Sequence, residues 1–559
     1  MGNQDSRRFG DSLGGRRAPP YVSPMLKAPR LQGQFRTDDR ARAAYAEGAG
    51  IFRIIPAAVA VPANMSDLQR LVRWASDSGT PLVARGAGSA MGGGNVGEGV
   101  IVDLTALGPA RLEVDAANRK AWVTAGITAG ALDAAARPHG LRFPPMPSSG
   151  RWATLGGMAA TNAAGASAVR VGSVRYWIDA IEWVGADGEL RQWSRGDTAA
   201  LPSRWAGVRR QIDAAEEVIR TRFPRVRKNS SGYAVDAVLE SGDLLDLLIG
   251  SEGTLGLITG LQYRLAPLPG ATAGVRMALR SLDDLADVVA ALRPLRPSAL
   301  EMLDRTFLEL VAQEGGRVPN LIRSADAILL VEFERATDAA ARGAVGDAVR
   351  AVSAWTSEVQ TAITPNDSAE LWEIRHAASP ILARLPETHR SMQVIEDGAV
   401  PISRLADYVR LVRRVTDAHG TGAVIFGHAG DGNIHVNLMV DTTKTDWENR
   451  VTSVLTEVSA GTAALGGTLS GEHGDGRLRA HALESVFGSA VVELFREIKA
   501  AFDPMGILNP GIKLPGGGVP IARLKVGAAA ASIPEDIALA LRDIERTGGY
   551  ARARLELAT

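Results

Sequence analysis

Arg85-Gly86-Ala87-Gly88-Ser89-Ala90-Met91-Gly92-Gly93-Gly94-Asn95 follows the short apolar run Pro81-Leu82-Val83-Ala84 and precedes a second one at residues 99–104. Glycine at that density would weaken the interior of any helix or strand, so the stretch reads as a loop joining two strands. A loop of this kind lets backbone N–H groups approach a pyrophosphate closely. It lacks the Gly-Lys-Ser/Thr ending of a Walker loop. It is not a Rossmann opening either, because a strand follows it rather than a helix.

Upstream, Ser66 is a plausible N-cap for a helix with an apolar stripe of Leu68, Leu71, Val72 and Ala75, ending near Gly79. Residues 1–36, rich in Gly, Arg, Pro and Ser, read as an irregular arm. Downstream, Thr154-Leu155-Gly156-Gly157-Met158-Ala159-Ala160-Thr161-Asn162-Ala163-Ala164-Gly165 is a run of small residues. It would let a flat ligand or a backbone come close, or pack as a tight helix. Residues 178–193 read as a hairpin turning at Ala186-Asp187-Gly188, and Gly250-Ser251-Glu252-Gly253-Thr254 punctuates the entry to a further strand.

The chemistry concentrates later, in Gly427-His428-Ala429-Gly430-Asp431-Gly432-Asn433-Ile434-His435 and Gly471-Glu472-His473-Gly474-Asp475-Gly476. Apolar runs flank the first motif, and its small-residue centre suits a tight connection. Such a hairpin brings His428 and His435 together, with Asn437 on the same strand face as His435. Two imidazoles plus a carboxylate, here Glu472, form a common ligand set for a divalent metal with an open position. His473 is then left for proton transfer. The chain has 8 histidines in 559 residues, and three fall in these two motifs, which favours a site over incidental turns. The ligand types suit zinc and also admit iron or manganese.

A chain of 559 residues implies several domains. Formal net charge is +0, which argues against nucleic-acid binding by phosphate neutralisation. With Cys 0, disulfides, iron–sulfur clusters and any cysteinyl flavin link are excluded. No apolar run approaches the roughly 18 residues of a membrane span. Arg7-Arg8 is followed by no apolar segment, so no export signal is read and a cytoplasmic location is expected.

The order of the 85–95 loop, the 154–165 segment and residues 250–258 is similar to the FAD-binding domain of the vanillyl-alcohol oxidase (PCMH-type) superfamily. The two histidine motifs and Ile507-Leu508-Asn509-Pro510-Gly511 resemble its D-2-hydroxyacid dehydrogenase branch, which includes D-lactate, glycolate and D-2-hydroxyglutarate dehydrogenases. The match covers residues 37–515. It implies an α+β protein: a FAD-binding domain at 37–266, a cap with an antiparallel sheet and helices at 267–461, and a return to the FAD domain at 462–514. Residues 515–559 form a linker and a tail helix of no assigned role.

By the resemblance, the cofactor contacts are Arg85, Gly86, Ala87, Gly88, Ser89, Gly157, Asn162, Gly165, Glu252, Gly253, Ile258 and Asn509. FAD is expected to be non-covalent, since the first loop contains no His and the chain no Cys. Arg375 is the carboxylate-binding arginine, whose planar fork lysine cannot reproduce. Asn437 also binds substrate, His473 is the base, and the metal on His428, His435 and Glu472, zinc first, polarises the hydroxyl.

Relatives acting on longer dicarboxylates carry a basic residue in the strand that here reads Gln393-Val394-Ile395-Glu396-Asp397-Gly398-Ala399-Val400-Pro401. Its absence favours D-lactate over D-2-hydroxyglutarate or glycolate, with His376, Arg384 and Arg390 as substitute cations. Val226-Arg227-Lys228-Asn229-Ser230-Ser231-Gly232-Tyr233 resembles large members that carry an iron–sulfur module. Without cysteines, electrons pass to a separate acceptor: a quinone, a cytochrome or an electron-transfer flavoprotein. A homodimer and peripheral contact with the inner membrane are compatible with this reading. The rival readings are a flavin-free metal hydrolase and a non-catalytic flavin-fold subunit of a larger oxidase.

Overall fold

The computed structural model describes residues 28–197, 203–313, 325–386, 388–514 and 520–559. The linker glycines 516–518 and most of the N-terminal arm lie outside the described residues. Gln34–Arg36, assigned to that arm, is instead a strand, because it pairs with Ala58–Val61 at the edge of the first sheet.

That sheet orders Gln34–Arg36, Ala58–Val61, Val100–Asp103 and Leu82–Arg85, and the last two run parallel. Parallel neighbours need a crossover, and the glycine loop between Arg85 and Val100 provides it without a helix. Preceding them, the helix Met65–Ser78 buries Leu68, Leu71, Val72 and Ala75 as the spacing predicts. Its N-cap is Asn64 rather than Ser66, since the Asn64 Oδ1 accepts the Asp67 N–H at 3.0 Å. A second, antiparallel sheet contains Ile178–Val184 and Leu190–Ser194, the expected hairpin, beside Leu257–Arg264.

An 8-stranded sheet forms the cap. Its strands pair antiparallel throughout, from Thr356–Ala362 at one edge to His389–Met392 at the other. One face carries the largest apolar core, where Met277, Leu329, Val331 and Val436 pack with helical residues such as Val289 and Val412. Ile51, Phe52 and Val96, which flank the glycine loop, join this same core. The loop is thereby fixed against the cap by buried apolar surface, the term that dominates packing free energy.

Candidate active site

Gly422–His428 and Asn433–Asp441 pair antiparallel with Phe426 opposite His435, and a single 3-10 turn at Ala429–Asp431 closes the hairpin. The two imidazoles stand edge to face with centroids 5.0 Å apart. Glu472 arrives from another part of the chain. Its Oε1 lies 3.0 Å from His428 Nε2 and 3.3 Å from His435 Nε2. The remaining nitrogens are taken: His428 Nδ1 bonds Glu301 Oε1 at 2.5 Å, and His435 Nδ1 donates to the Glu396 carbonyl at 3.0 Å. Both Nε2 atoms are therefore aimed at one point, which is how a bound metal's imidazoles are oriented. The three ligand atoms lie within 4.8 Å of one another, so the donor set fits a divalent cation.

Two groups that sequence reasoning missed support this cluster. Glu301 is fully buried, and its second oxygen accepts Arg375 Nε at 2.9 Å. Burial opposes its charge, but His428 and Arg375 overcome this and hold it down at about 2. Lys228, also buried, donates to Glu472 Oε2 at 2.8 Å. Although burial works against ionisation of Glu472, Lys228 and His428 keep it well below the ordinary carboxylate range. A carboxylate in the apolar run Ala-Leu-Glu-Met-Leu was the available signal for Glu301.

His473 stacks on His435 with centroids 5.2 Å apart, and its Nδ1 bonds Glu396 Oε2 at 2.6 Å. Asp397 Oδ2 accepts the backbone N–H of both Glu472, at 3.0 Å, and His473, at 2.8 Å. The acidic pair 396–397 thus fixes the segment Glu472-His473, and Arg479 balances Glu396. The ordinary imidazole expected of His473 is not what the surroundings produce. Burial disfavours its charge, yet Glu396 and Asp397 prevail and raise it to about 10.

A single cavity of about 570 Å³ joins this cluster to the glycine loop; its lining runs from Gly86–Met91 to His428, His435, Glu472 and His473. Ala87, Gly88, Ser89, Gly157, Gly165, Glu252, Gly253 and Ile258 all line it. Gly88 and Gly253 adopt φ of 81° and 72°, so bare backbone faces the cavity where a side chain would be strained. That cradle, open from the loop to the imidazoles, suits a long flat cofactor with a diphosphate.

Four of the residues expected to contact the cofactor also make hydrogen bonds within the chain. Asn162 is the C-cap of the helix Leu155–Thr161, and its amide bonds Arg175 N–H and the Asn229 carbonyl, outside the lining. Asn509 donates to the Gly94 and Glu252 carbonyls, at 2.8 Å each, and so tethers the loop from behind. Arg85 lines the cavity but gives its guanidinium to the Tyr45, Glu47 and Asn95 carbonyls. Glu252, while in the lining, hooks Asp475 N–H at 2.7 Å and Gly476 N–H at 3.0 Å.

Arg375 lies in the lining with its guanidinium 4.7 Å above the Phe426 ring. Asn437 lines it too, and its Oδ1 accepts from Ser391 at 3.1 Å and Gln393 at 3.2 Å. Of the substitute cations, Arg390 lines the cavity and faces Glu545 at 3.6 Å. Arg384 is outside the lining, and the side chain of His376 is outside the described residues.

Comparison with known proteins places this arrangement. Residues 56–194 match a family model described as an FAD binding domain, and residues 268–512 one described as the C-terminal domain of FAD linked oxidases. Over the fold, 4-ethylphenol oxidase from Gulosibacter chungangensis is similar at a TM-score of 0.62 and 16% identity, covering 86% of this chain and 94% of that one. p-Cresol methylhydroxylase also gives 0.62, at 15% identity, over 87% and 95% of the two chains. The fold class is therefore α+β with a PCMH-type FAD-binding domain. D-lactate dehydrogenase of Archaeoglobus fulgidus is 32% identical over 81% of this chain and 90% of its own. Glycolate oxidase subunit GlcD of Bacillus subtilis is 31% identical over 82% and 89%. The chain belongs to this family of FAD-linked oxidoreductases, the D-lactate, glycolate and D-2-hydroxyglutarate dehydrogenase type. No helix among the described residues is long and apolar enough to cross a membrane.

Proposed function

We propose that the protein oxidises a D-2-hydroxy acid to the 2-oxo acid, with D-lactate the favoured substrate. The observation that carries this reading is the convergence of His428 and His435 Nε2 on Glu472 Oε1, in one cavity with Arg375, His473 and the glycine loop. FAD, when bound, would supply the hydride acceptor, and His428, His435 and Glu472 would hold a divalent cation, zinc by ligand type, that would polarise the hydroxyl.

Arg375, fixed at Nε by Glu301, holds the substrate carboxylate, and Asn437 donates a second hydrogen bond to it. His473 accepts the hydroxyl proton at Nε2 as the α-hydrogen leaves as hydride. A divalent cation held by His428, His435 and Glu472 would oppose the field of Glu396 and Asp397 and so favour the neutral His473 imidazole. Electrons then pass to a separate acceptor.

Two features support a short substrate. Residues 393–401, Gln393 to Pro401, include no Lys or Arg to meet a second carboxylate. Arg390, which could meet a second carboxylate, is faced by Glu545. Anaerobic flavin bleaching by a panel of D- and L-lactate, glycolate, malate and D-2-hydroxyglutarate tests the reading. D-lactate should bleach fastest. Bleaching by none of them would overturn the assignment. Chelation should abolish turnover and added zinc restore it; indifference to chelator would remove the metal.

A further inference from the structure

Residues 520–559 lie beyond the stretch that matches the FAD-linked oxidase model, which ends at residue 512. In the tail, the helix Glu535–Thr547 buries Ile537, Leu541 and Ile544 at helical spacing. With Leu557, they pack on Ala43, Tyr45, Val59, Val83 and Ile101, a face of the sheet whose strands enter and leave the glycine loop. An Arg40–Asp536 ion pair at 2.6 Å adds to the attachment.

The same tail reaches the cavity. Glu545 and Tyr550 line it together with Gly86, Gly88 and His473. Glu545 is held by Lys525 at 3.0 Å, and the Tyr550 ring lies 6.1 Å from that of Trp152. Behind Tyr550, the Arg554 guanidinium lies 5.6 Å from the ring centroid. Arg554 is 4% exposed, and its Nε and Nη1 are buried with no hydrogen-bond partner among the described residues. Arg85 beside it donates to backbone carbonyls rather than to a carboxylate, and its Nε is likewise orphaned. Burial and the repulsion of Arg85 push Arg554 down to about 10. Neither guanidinium has a hydrogen-bonded carboxylate among the described residues, and two buried charges so placed near a glycine loop call for an anion.

We propose that the tail, residues 533–559, is a wall of the cofactor site: Tyr550 contacts bound FAD, and Arg554 with Arg85 offsets the negative charge of its diphosphate. Arg554 acts through its field from behind Tyr550 and is a positioning residue in this scheme. The inference needs FAD but no particular substrate, so it stands or falls separately from the hydroxy-acid assignment.

The experiment measures FAD release from the holoprotein, by flavin fluorescence, and melting of the apoprotein with and without FAD, for Tyr550→Ala and Arg554→Met. Both variants should release FAD about tenfold faster than wild type or more, a difference readily resolved as a rate. Apo Arg554→Met should melt at or above the wild-type apoprotein, since an unpaired buried charge is gone, and should gain less from added FAD. Wild-type release rates in both variants would overturn the proposal. So would an apo Arg554→Met that melts well below wild type, since Arg554 would then be an ordinary structural cation.

Discussion

Lys228 Nζ lies 2.8 Å from Glu472 Oε2, the oxygen turned away from the two imidazoles. The lysine therefore selects which oxygen meets His428 and His435, and it balances a carboxylate that is itself buried. Replacing Lys228 by Met keeps the stem and removes the charge. In chelated protein this leaves Glu472 with only His428 and His435 to offset its buried charge, a loss of up to about 3–5 kcal/mol. Bound divalent metal supplies the missing charge, so the variant should regain more stability from metal than wild type does. Melting curves with chelator and with zinc check this; an equal metal response in both proteins would show that Lys228 does not balance Glu472.

His473 carries a second prediction. His473→Gln removes the proton acceptor at Nε2 but keeps a hydrogen-bonding side chain toward Glu396. FAD should remain bound, while the rate of flavin reduction by D-lactate should fall about 10²–10⁴-fold, the usual contribution of a positioned base. Stopped-flow reduction under anaerobic conditions reads this directly. Near-normal reduction would assign the proton to another group.

The hairpin bearing His428 and His435 was legible because its signal is local: apolar runs around a Gly-Asp-Gly centre set the register, and the register places Asn437. The glycine loop was legible for the same reason. Glu301 was not, because it stands 127 residues from His428 and only the pairing of strand Ala299–Asp304 with Gly422–His428 brings them together. Lys228 and Glu472 are 244 residues apart, and no periodicity relates them. Asn162 and Asn509 also have a backbone role that the motifs did not reveal. Both occupy positive-φ positions, where a short amide side chain is favoured for the backbone it can satisfy. The acidic character of Glu396 and Asp397 was legible, but not that their oxygens are taken by His473, Arg479 and the backbone of 472–473.

Arg375 separates charge from geometry. In Arg375→Lys the positive charge persists, but the bond from Nε to Glu301 and the planar face over Phe426 are lost. An ammonium cannot bind Glu301 and present a fork to a carboxylate at once. The variant should lose roughly 1.5–3 kcal/mol of charge-assisted bonding, or about 10–150-fold in kcat/KM for D-lactate. FAD retention should be unchanged. A variant that loses flavin instead would show Arg375 to be part of the cofactor wall.

Glu301 gives the pH prediction. Its carboxyl titrates at about 2 in the folded chain against an ordinary 4.5, because His428 and Arg375 stabilise the anion more than burial opposes it. A depressed folded-state pKa adds stability that is present above the unfolded value and is lost as pH falls through the folded one. Glu301→Gln deletes that contribution and leaves His428 Nδ1 and Arg375 Nε without a counter-charge. Metal-free Glu301→Gln should therefore melt well below wild type at pH 6, and the gap should narrow steadily as pH drops from 4.5 toward 2. Denaturation followed across that window checks the sign. A gap that is constant with pH would mean that Glu301 contributes packing alone, and that the His428–Glu301–Arg375 chain is not held together by charge.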